Sequence, residues 1–470
     1  MPPILATIVY VGAVVWLFRR DMRQQPRMTS AFWLPLIWFI ICSTRFISQW
    51  LAIFGINTGG GSIEDGSPLD ALVFLSLIIA GVVVLKRRQV RLSEVIRNNR
   101  YLAFFFAYCA LSIAWSDFPF VAAKRLFKDL GHPIMVLVLL TEPDPEEAVI
   151  RLIKRCAYVC LPISILFIKY YPQLGRSYSE WTGGASYSGV TLGKNTLGLD
   201  CFILGAFLFW FFLKIWRTEK SKQRRNELIL LAGLFVMIGW LFKMAQSSTS
   251  LVSLAIAVAM ILFLGLRWVQ PRYMGLYLVA AACLGIVAEG VFGIYTQFLL
   301  FLGKDPTLTD RTYIWKDLLA MKTNPLVGVG FESFWLGDDR LRPLWEKWHW
   351  HPNEAHNGYL ETYLDLGMIG VLLLLGMLLT AFQKARREMV QGRDLGRFGM
   401  AFLVAVIFYS WTEVPFRATN PIWFLFFLIM MDYPTPQRVT PEPLLADDFR
   451  EEPLTFKSGQ KPAGPKVGSY

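Results

Sequence analysis

Residues 367–381 read GMIGVLLLLGMLLTA, a run without a single charged side chain, and its reading decides what kind of molecule this is. With its flanks it is long enough to cross the hydrocarbon core of a bilayer, which takes about 20 apolar residues as a helix. Comparable runs recur at 31–44, 69–85, 198–213, 251–266, 274–288 and 421–431. The whole chain is 54% hydrophobic and only 17% charged, with mean hydropathy +0.43, outside the range of ordinary soluble domains. In lipid every backbone polar group must be satisfied internally, and these runs lack the alternation of a membrane barrel, so they are expected to be helices. The expected fold is therefore all-α: a polytopic membrane protein of about 12–13 transmembrane helices.

Working outward from 367–381, one end meets Lys384, Arg386, Arg387, Arg393 and Arg397. Similar basic clusters fill other short connectors: Arg19 to Arg27, Lys86 to Arg100, and Lys214 to Arg225. If the helices alternate, all of these fall on one side, which the positive-inside rule makes the cytoplasm. Topology thus accounts for the net charge of +12, and no nucleic-acid partner is expected. The opposite side receives the connectors 51–68, 115–128, 171–195, 244–250, 295–357 and 412–420. The first helix, about 3–18, lacks the cleavage pattern of a secretory signal and is kept as a helix. A membrane domain over 1–432 would precede a proline-rich, disordered cytoplasmic tail, 433–470. All six cysteines lie in apolar stretches, so no disulfide framework is implied, and Cys156 with Cys160 at helical spacing reads as packing.

The other end of the run leads back to the longest connector, about 295–357, where chemistry is expected if the chain has any. Arg311 opens a helical pattern, and a cation in a first turn opposes the helix dipole, so Arg311 is expected to serve something else. The stretch Asn324-Pro325-Leu326-Val327-Gly328-Val329-Gly330 reads as a tight turn whose glycines allow close backbone approach. Then comes Trp348-His349-Trp350-His351-Pro352-Asn353-Glu354-Ala355-His356-Asn357, holding three of the chain's four histidines. Three readings compete for it: a metal site using His349, His351, Glu354 and His356; an interfacial aromatic belt with incidental histidines; and His356 as a base, neutral near pH 7. His356 and Asn357 would stand at a helix N-terminus, which favours anions nearby.

These residues carry a resemblance. The order of DRTYIWKDLLAMKTNPLVGVGFESFW (310–335) and HNGYLETYLDLGMIGVLLLL (356–375) resembles the signature region of the O-antigen ligase and polysaccharide polymerase superfamily. Upstream, SGVTLGKNTLG (188–198) and WSDFPFVAAKRLFKDL (115–130) are similar to segments of its exopolysaccharide members. The resemblance implies a C-type glycosyltransferase-like fold in the bacterial inner (cytoplasmic) membrane, with the active site facing the periplasm. It implies transfer of a glycan from undecaprenyl diphosphate to an acceptor hydroxyl, with inversion and without a metal or cofactor. Arg311 matches the family's loop arginine and would take the charge of the diphosphate leaving group; His356 matches its histidine and would activate the acceptor. Asn357, Glu354, Trp315 and Glu413 are expected to contact diphosphate or glycan.

One departure stands out. Where many ligases carry Ser-Arg, this chain reads Ala245-Gln246-Ser247-Ser248-Thr249-Ser250, so a second phosphate-binding cation must come from elsewhere. Lys194 and Arg125 are the first choices, with Arg176 and Lys243 behind them. Lys194 as a snorkelling lysine, and Arg125 on the polar face of a surface helix, are the plain alternatives. The expected activity is polymerisation of exopolysaccharide or O-antigen repeat units; ligation of finished glycan to lipid A core is the near alternative. Expected partners are the lipid-linked donor, a glycan or lipid A core acceptor, membrane lipid, a flippase and a chain-length regulator. A transporter or flippase of lipid-linked glycan is the rival class, with ionisable groups expected near the midplane.

Overall fold

The computed structural model describes residues 1–24, 28–56, 66–178, 184–293, 297, 311–348, 351–433 and 468. It divides into Met1–Pro434 and Thr435–Tyr470. The proposed tail lies almost entirely outside the described residues, as do Asp310, His349 and Trp350. Among the described residues the only strands are a small antiparallel hairpin, Arg176–Tyr178 with Ala185–Tyr187. Everything else of regular form is helical, and the chain is an all-α polytopic membrane protein.

Each apolar run of the sequence falls on a helix, but the helices are not all of full spanning length. Among the described residues six are long and apolar enough to cross a membrane: Pro3–Met22, Pro68–Arg87, Lys194–Trp216, Lys222–Ala245, Pro271–Gly290 and Gly358–Val390. A bent pair, Ser30–Ser43 with Ile47–Ile53 at 63°, gives a seventh. Arg100–Trp115, Ser248–Phe263, Leu395–Tyr409 and Pro421–Met430 are shorter apolar helices. This is fewer full spans than the sequence expectation of about 12–13, because apolar composition does not distinguish a span from a short helix buried in protein. Arg45 sits in the break of the bent pair and donates to the carbonyls of Val190 at 3.0 Å and Leu174 at 2.5 Å, tying the break to a neighbouring connector.

The Lys194–Trp216 helix lies at the centre, with Phe202 stacked between Phe402 and Tyr409 of the Leu395–Tyr409 helix. Beside it stands Pro145–Tyr170, started by Asp144, whose side chain accepts from the Glu147 amide at 3.1 Å. Its buried cations are all paired: Arg155 with Asp21 at 2.7 Å, Lys154 with Glu227 at 3.2 Å, and Arg151 with Glu147 at 2.8 Å. The basic connectors gather at one end of the helices, where Arg20 meets Glu227 and Arg88 meets Glu142. Cys156 and Cys160 face each other at 3.5 Å as a buried thiol pair.

One feature of the Gly358–Val390 helix positions the long connector. At Gly367 the backbone leaves the helix, with φ +64° and ψ −165°. That break frees two donors and two acceptors, and the turn at 324–330 takes all four. Met368 donates to Pro325 O at 2.9 Å and Ile369 to Leu326 O at 3.2 Å. In return Val329 donates to Leu364 O at 3.2 Å and Gly330 to Asp365 O at 2.8 Å. A Cβ on Gly328 would strike the Asp365 carbonyl, and one on Gly367 would strike Leu326, so glycine is required at both. The tight turn expected from the sequence is thus a clamp on a broken helix. Asp365 completes it, accepting from the amides of Ser333 at 3.1 Å and Phe334 at 3.0 Å.

Candidate active site

At the end away from the basic clusters, five connectors expected on one face meet. Ser116 bonds Ser333 at 2.7 Å, and Trp115 donates to Val327 O at 3.3 Å, joining 115–128 to the long connector. Thr412 donates to Thr249 at 3.1 Å, and Asn195 to Glu413 at 3.5 Å, bringing in the first turns of the Ser248–Phe263 and Lys194–Trp216 helices.

Glu413 is the meeting point. Arg311, first residue of the Arg311–Ala320 helix, donates through Nη1 to the Thr412 carbonyl and reaches Glu413 Oε1 through Nη2 at 3.2 Å. His356 Nδ1 lies 3.9 Å from the other oxygen of the same carboxylate and 2.8 Å from Glu354 Oε1. The awkward first-turn position of Arg311 is thereby explained: the guanidinium is aimed at the 412–413 connector rather than at its own helix. His356 takes up φ +48°, and Glu332 φ +45°, a region that side chains with a Cβ enter at a cost of about 1–3 kcal/mol.

Charge around the imidazole is arranged in layers. Arg417 donates to Glu354 Oε2 at 3.2 Å and also pairs with Glu361, whose other oxygen accepts from the Ala355 amide at 2.9 Å. Burial alone would lower the pKa of His356, but Glu354 and Glu413 outweigh it and raise it from 6.5 to about 9. Burial would raise Glu354, yet His356 and Arg417 hold its carboxyl below the ordinary value. The resting imidazole is therefore protonated at neutral pH, unlike the neutral base expected from sequence, because the sequence does not show that two carboxylates fold against it.

The remaining candidates separate into those at this centre and those elsewhere. Trp315 donates to the Ala355 carbonyl at 2.8 Å and meets Trp411 edge-on at 6.1 Å, bracing the segment that carries His356. Asn357 caps the Gly358–Val390 helix, its side chain accepting from the Tyr359 and Leu360 amides at 3.0 Å, so those donors are already taken. Lys194 is exposed beside Asn195, and among the described residues it has no ion pair. Arg125 donates to the Glu332 carbonyl at 2.5 Å; Glu332 in turn accepts from the Ala418 amide at 3.0 Å, next to Arg417. Arg125 thus borders the centre from the amphipathic Pro119–Asp129 helix. Arg176 is not brought to it: both its Nε and Nη2 bond Ile168 O, at 2.9 and 2.6 Å, and it lies over Tyr187 in the hairpin. His351 stacks on Trp345 at 5.3 Å, as the aromatic reading expects. Sequence reasoning missed Arg417 and Glu361; their signal was position, Arg417 in the outer connector 412–420 and Glu361 in the first turn of the Gly358–Val390 helix, without a motif to single them out.

Ligand atoms of Glu354, His356 and Glu413 lie within 4.8 Å of one another, a spacing a divalent ion could use. Arg311 and Arg417 already bond two of the three groups, so an added dication would meet two guanidinium charges.

Residues 232–375, which include Arg311 and His356, match the family described as O-Antigen ligase. The exopolysaccharide production protein ExoQ of Rhizobium meliloti (strain 1021) is 28% identical over 318 residues, covering 64% of this chain and 69% of that protein. Over that stretch the chain is similar to the O-antigen ligase-like superfamily. A putative polysaccharide ligase of Rickettsia felis (strain ATCC VR-1525 / URRWXCal2) is 21% identical over 229 residues, 46% of this chain and about half, 54%, of that protein. The molecule is thus a multi-pass membrane enzyme of the polysaccharide-processing, glycosyltransferase type. Of the convergent residues, Glu413, Arg417 and Lys194 lie outside the matched stretch.

Proposed function

We propose that the chain transfers a glycan from an undecaprenyl-diphosphate carrier to an acceptor hydroxyl, polymerising exopolysaccharide or O-antigen repeat units on the periplasmic side of a bacterial inner membrane. The observation that carries this reading is that Arg311 and His356, from distant parts of one connector, reach the two oxygens of Glu413. A shared carboxylate keeps a strong anion-binding group and a proton acceptor within reach of one sugar. Glycan transfer from such a carrier asks for that pair.

Glu354 holds the Nδ1 proton of His356 and thereby fixes the tautomer; once the imidazolium has given its Nε2 proton to solvent, Nε2 is free to take the proton of the acceptor hydroxyl. The acceptor oxygen forms the new bond at the anomeric carbon as the bond to the diphosphate oxygen breaks, which inverts the centre; the electron pair leaves with the diphosphate. Among the described residues Arg311 uses two donors, on Thr412 and Glu413, which leaves three of its five N–H groups for the departing charge. Lys194, at the first turn of the Lys194–Trp216 helix and without an ion pair among the described residues, is the second cation, and Arg125 borders the centre through Glu332. No metal enters this scheme. A glycan acceptor, a flippase supplying donor and a chain-length regulator are the partners it asks for. The C-type glycosyltransferase-like fold and a membrane domain ending near 432 belong to the same reading.

Ligation of finished glycan to lipid A core is a second reading, favoured by the O-Antigen ligase match. A transporter is disfavoured, because the polar convergence lies at one end of the helices and not at their midpoints. The test is transfer in reconstituted membranes from undecaprenyl-diphosphate-linked repeat units, with chelator present. Stepwise lengthening supports polymerisation, single transfer to lipid A core supports ligation, and no product from either donor and acceptor pair refutes transfer.

A further inference from the structure

A polar cavity lies at the basic end, bounded by the ends of Pro3–Met22, Pro145–Tyr170, Lys194–Trp216 and Lys222–Ala245. It encloses about 670 Å³, within the size range of small-ligand pockets. Asn195 touches the candidate active site and Lys214 lines this cavity; the helix between them rises about 29 Å at 1.5 Å per residue. The two places are therefore separate, and nothing below rests on the proposed activity.

Five cations line it, Arg20, Arg23, Lys154, Lys214 and Lys222, against two carboxylates, Glu147 and Glu227. Both carboxylates are already engaged. Glu227 holds Arg20 at 2.8 Å and Lys154 at 3.2 Å, and accepts from Gln24 at 3.1 Å. Glu147 holds the buried Arg151, whose Nη2 has no hydrogen-bond partner among the described residues. Lys214 pairs with Glu146. Arg23 and Lys222 are exposed and, among the described residues, have no ion pair. The wall between the cations is apolar, formed by Ile150, Phe211 and Ile215.

A concave site with excess positive charge and a greasy wall needs an anionic group carried on an apolar body. Its depth points the same way. Trp16, one turn before Arg20, and Trp216, just past Lys214, are 61% and 56% exposed, as tryptophans are at the headgroup level of a bilayer. Basic pockets between membrane helices on the positive side are suited to phosphate headgroups. We propose that this cavity binds a phosphate group, carried by an anionic phospholipid headgroup, with Arg23 and Lys222 as its direct ligands.

Full-length protein in neutral detergent is titrated with phosphatidylglycerol or phosphatidylcholine in mixed micelles, or with inorganic phosphate, and its thermal unfolding midpoint is followed. Phosphatidylglycerol is expected to raise the midpoint saturably while phosphatidylcholine does not. In Arg23→Ala/Lys222→Ala the half-saturating concentration should rise on the order of thirtyfold, from two lost headgroup contacts. Both residues are exposed, so the fold should survive their loss. Arg91→Ala/Arg97→Ala removes the same charge from another exposed basic connector and should leave the titration unchanged. If inorganic phosphate gives the same saturable shift and competes with lipid, the site binds phosphate from a soluble source. Equal response to phosphatidylcholine, no response to any probe, unchanged binding in the first double variant or equal loss in the second overturns the proposal.

Discussion

Replacing Glu354 with Gln should change the pH dependence of stability more than stability itself. In the native protein His356 is raised from 6.5 to about 9. At about 1.4 kcal/mol per unit, holding the imidazolium contributes on the order of 3 kcal/mol, less what solvent screens, since 21% of the side chain is exposed. The sign follows from the direction of the shift: the contribution is fully present below pH 6.5 and is lost as pH rises through about 9. Glu354→Gln keeps a hydrogen-bonding side chain beside Arg417 but removes the closer of the two carboxylates facing His356; Glu413 stays at 3.9 Å. Burial then has more say and the imidazole pKa falls. Thermal or denaturant unfolding of both proteins, followed from about pH 6 to about pH 10, should show a gap that is widest at low pH and narrows by roughly 2–3 kcal/mol as pH passes 9. In the transfer assay, the rising limb of the wild-type rate near pH 9 should move down toward 6.5 in the variant. A stability gap constant with pH, or a rate profile that superimposes on wild type, would refute the ion pair as the source of the shift.

Three further outcomes are expected. Arg311→Ala should lower kcat by about 10²–10³ with little loss of folded protein, and Arg311→Lys should recover only part of it, because one ammonium cannot span carbonyl, carboxylate and diphosphate; unchanged kcat would remove Arg311 from the chemistry. Arg417→Ala should destabilise by roughly 2–4 kcal/mol, somewhat less than the about 3–5 kcal/mol of a fully buried pair, since Arg417 is 31% exposed and Glu361 only 6%; Arg417→Ala/Glu361→Gln should regain part of that loss in a double-mutant cycle. Gly328→Ala, at φ +67° against the Asp365 carbonyl, should cost at least about 1–3 kcal/mol, measured by unfolding in detergent; near-neutral behaviour would show that the turn can withdraw from the helix.

The sequence displayed the apolar helices and the end where their basic connectors gather, because both depend on composition, but it did not separate full spans from shorter apolar helices. Pro145–Tyr170 was less visible, since Arg151, Lys154 and Arg155 interrupt its apolar character and are tolerated only through partners on other helices. Arg311 and His356 were legible through motif order. Arg417 was not, because its role depends on three carboxylates, Glu332, Glu354 and Glu361, that are far from it in sequence. The protonation of His356 was illegible for the same reason: a pKa is a property of neighbours in space. Asn357 shows the reverse, a residue in the right place whose side chain is used up in starting a helix.

The break at Gly367 has a consequence for biogenesis. A helix interrupted in mid-course enters lipid with two bare amides and two bare carbonyls, each costing several kcal/mol until matched. Their partners at 325–330 are synthesised first and, with the periplasmic placement proposed above, must already be across the membrane when the Gly358–Val390 segment leaves the insertion machinery. Export of the long connector is thus a precondition for the helix to settle. A chain stalled before that export would hold a frustrated helix, one that quality-control proteases could recognise by its exposed backbone.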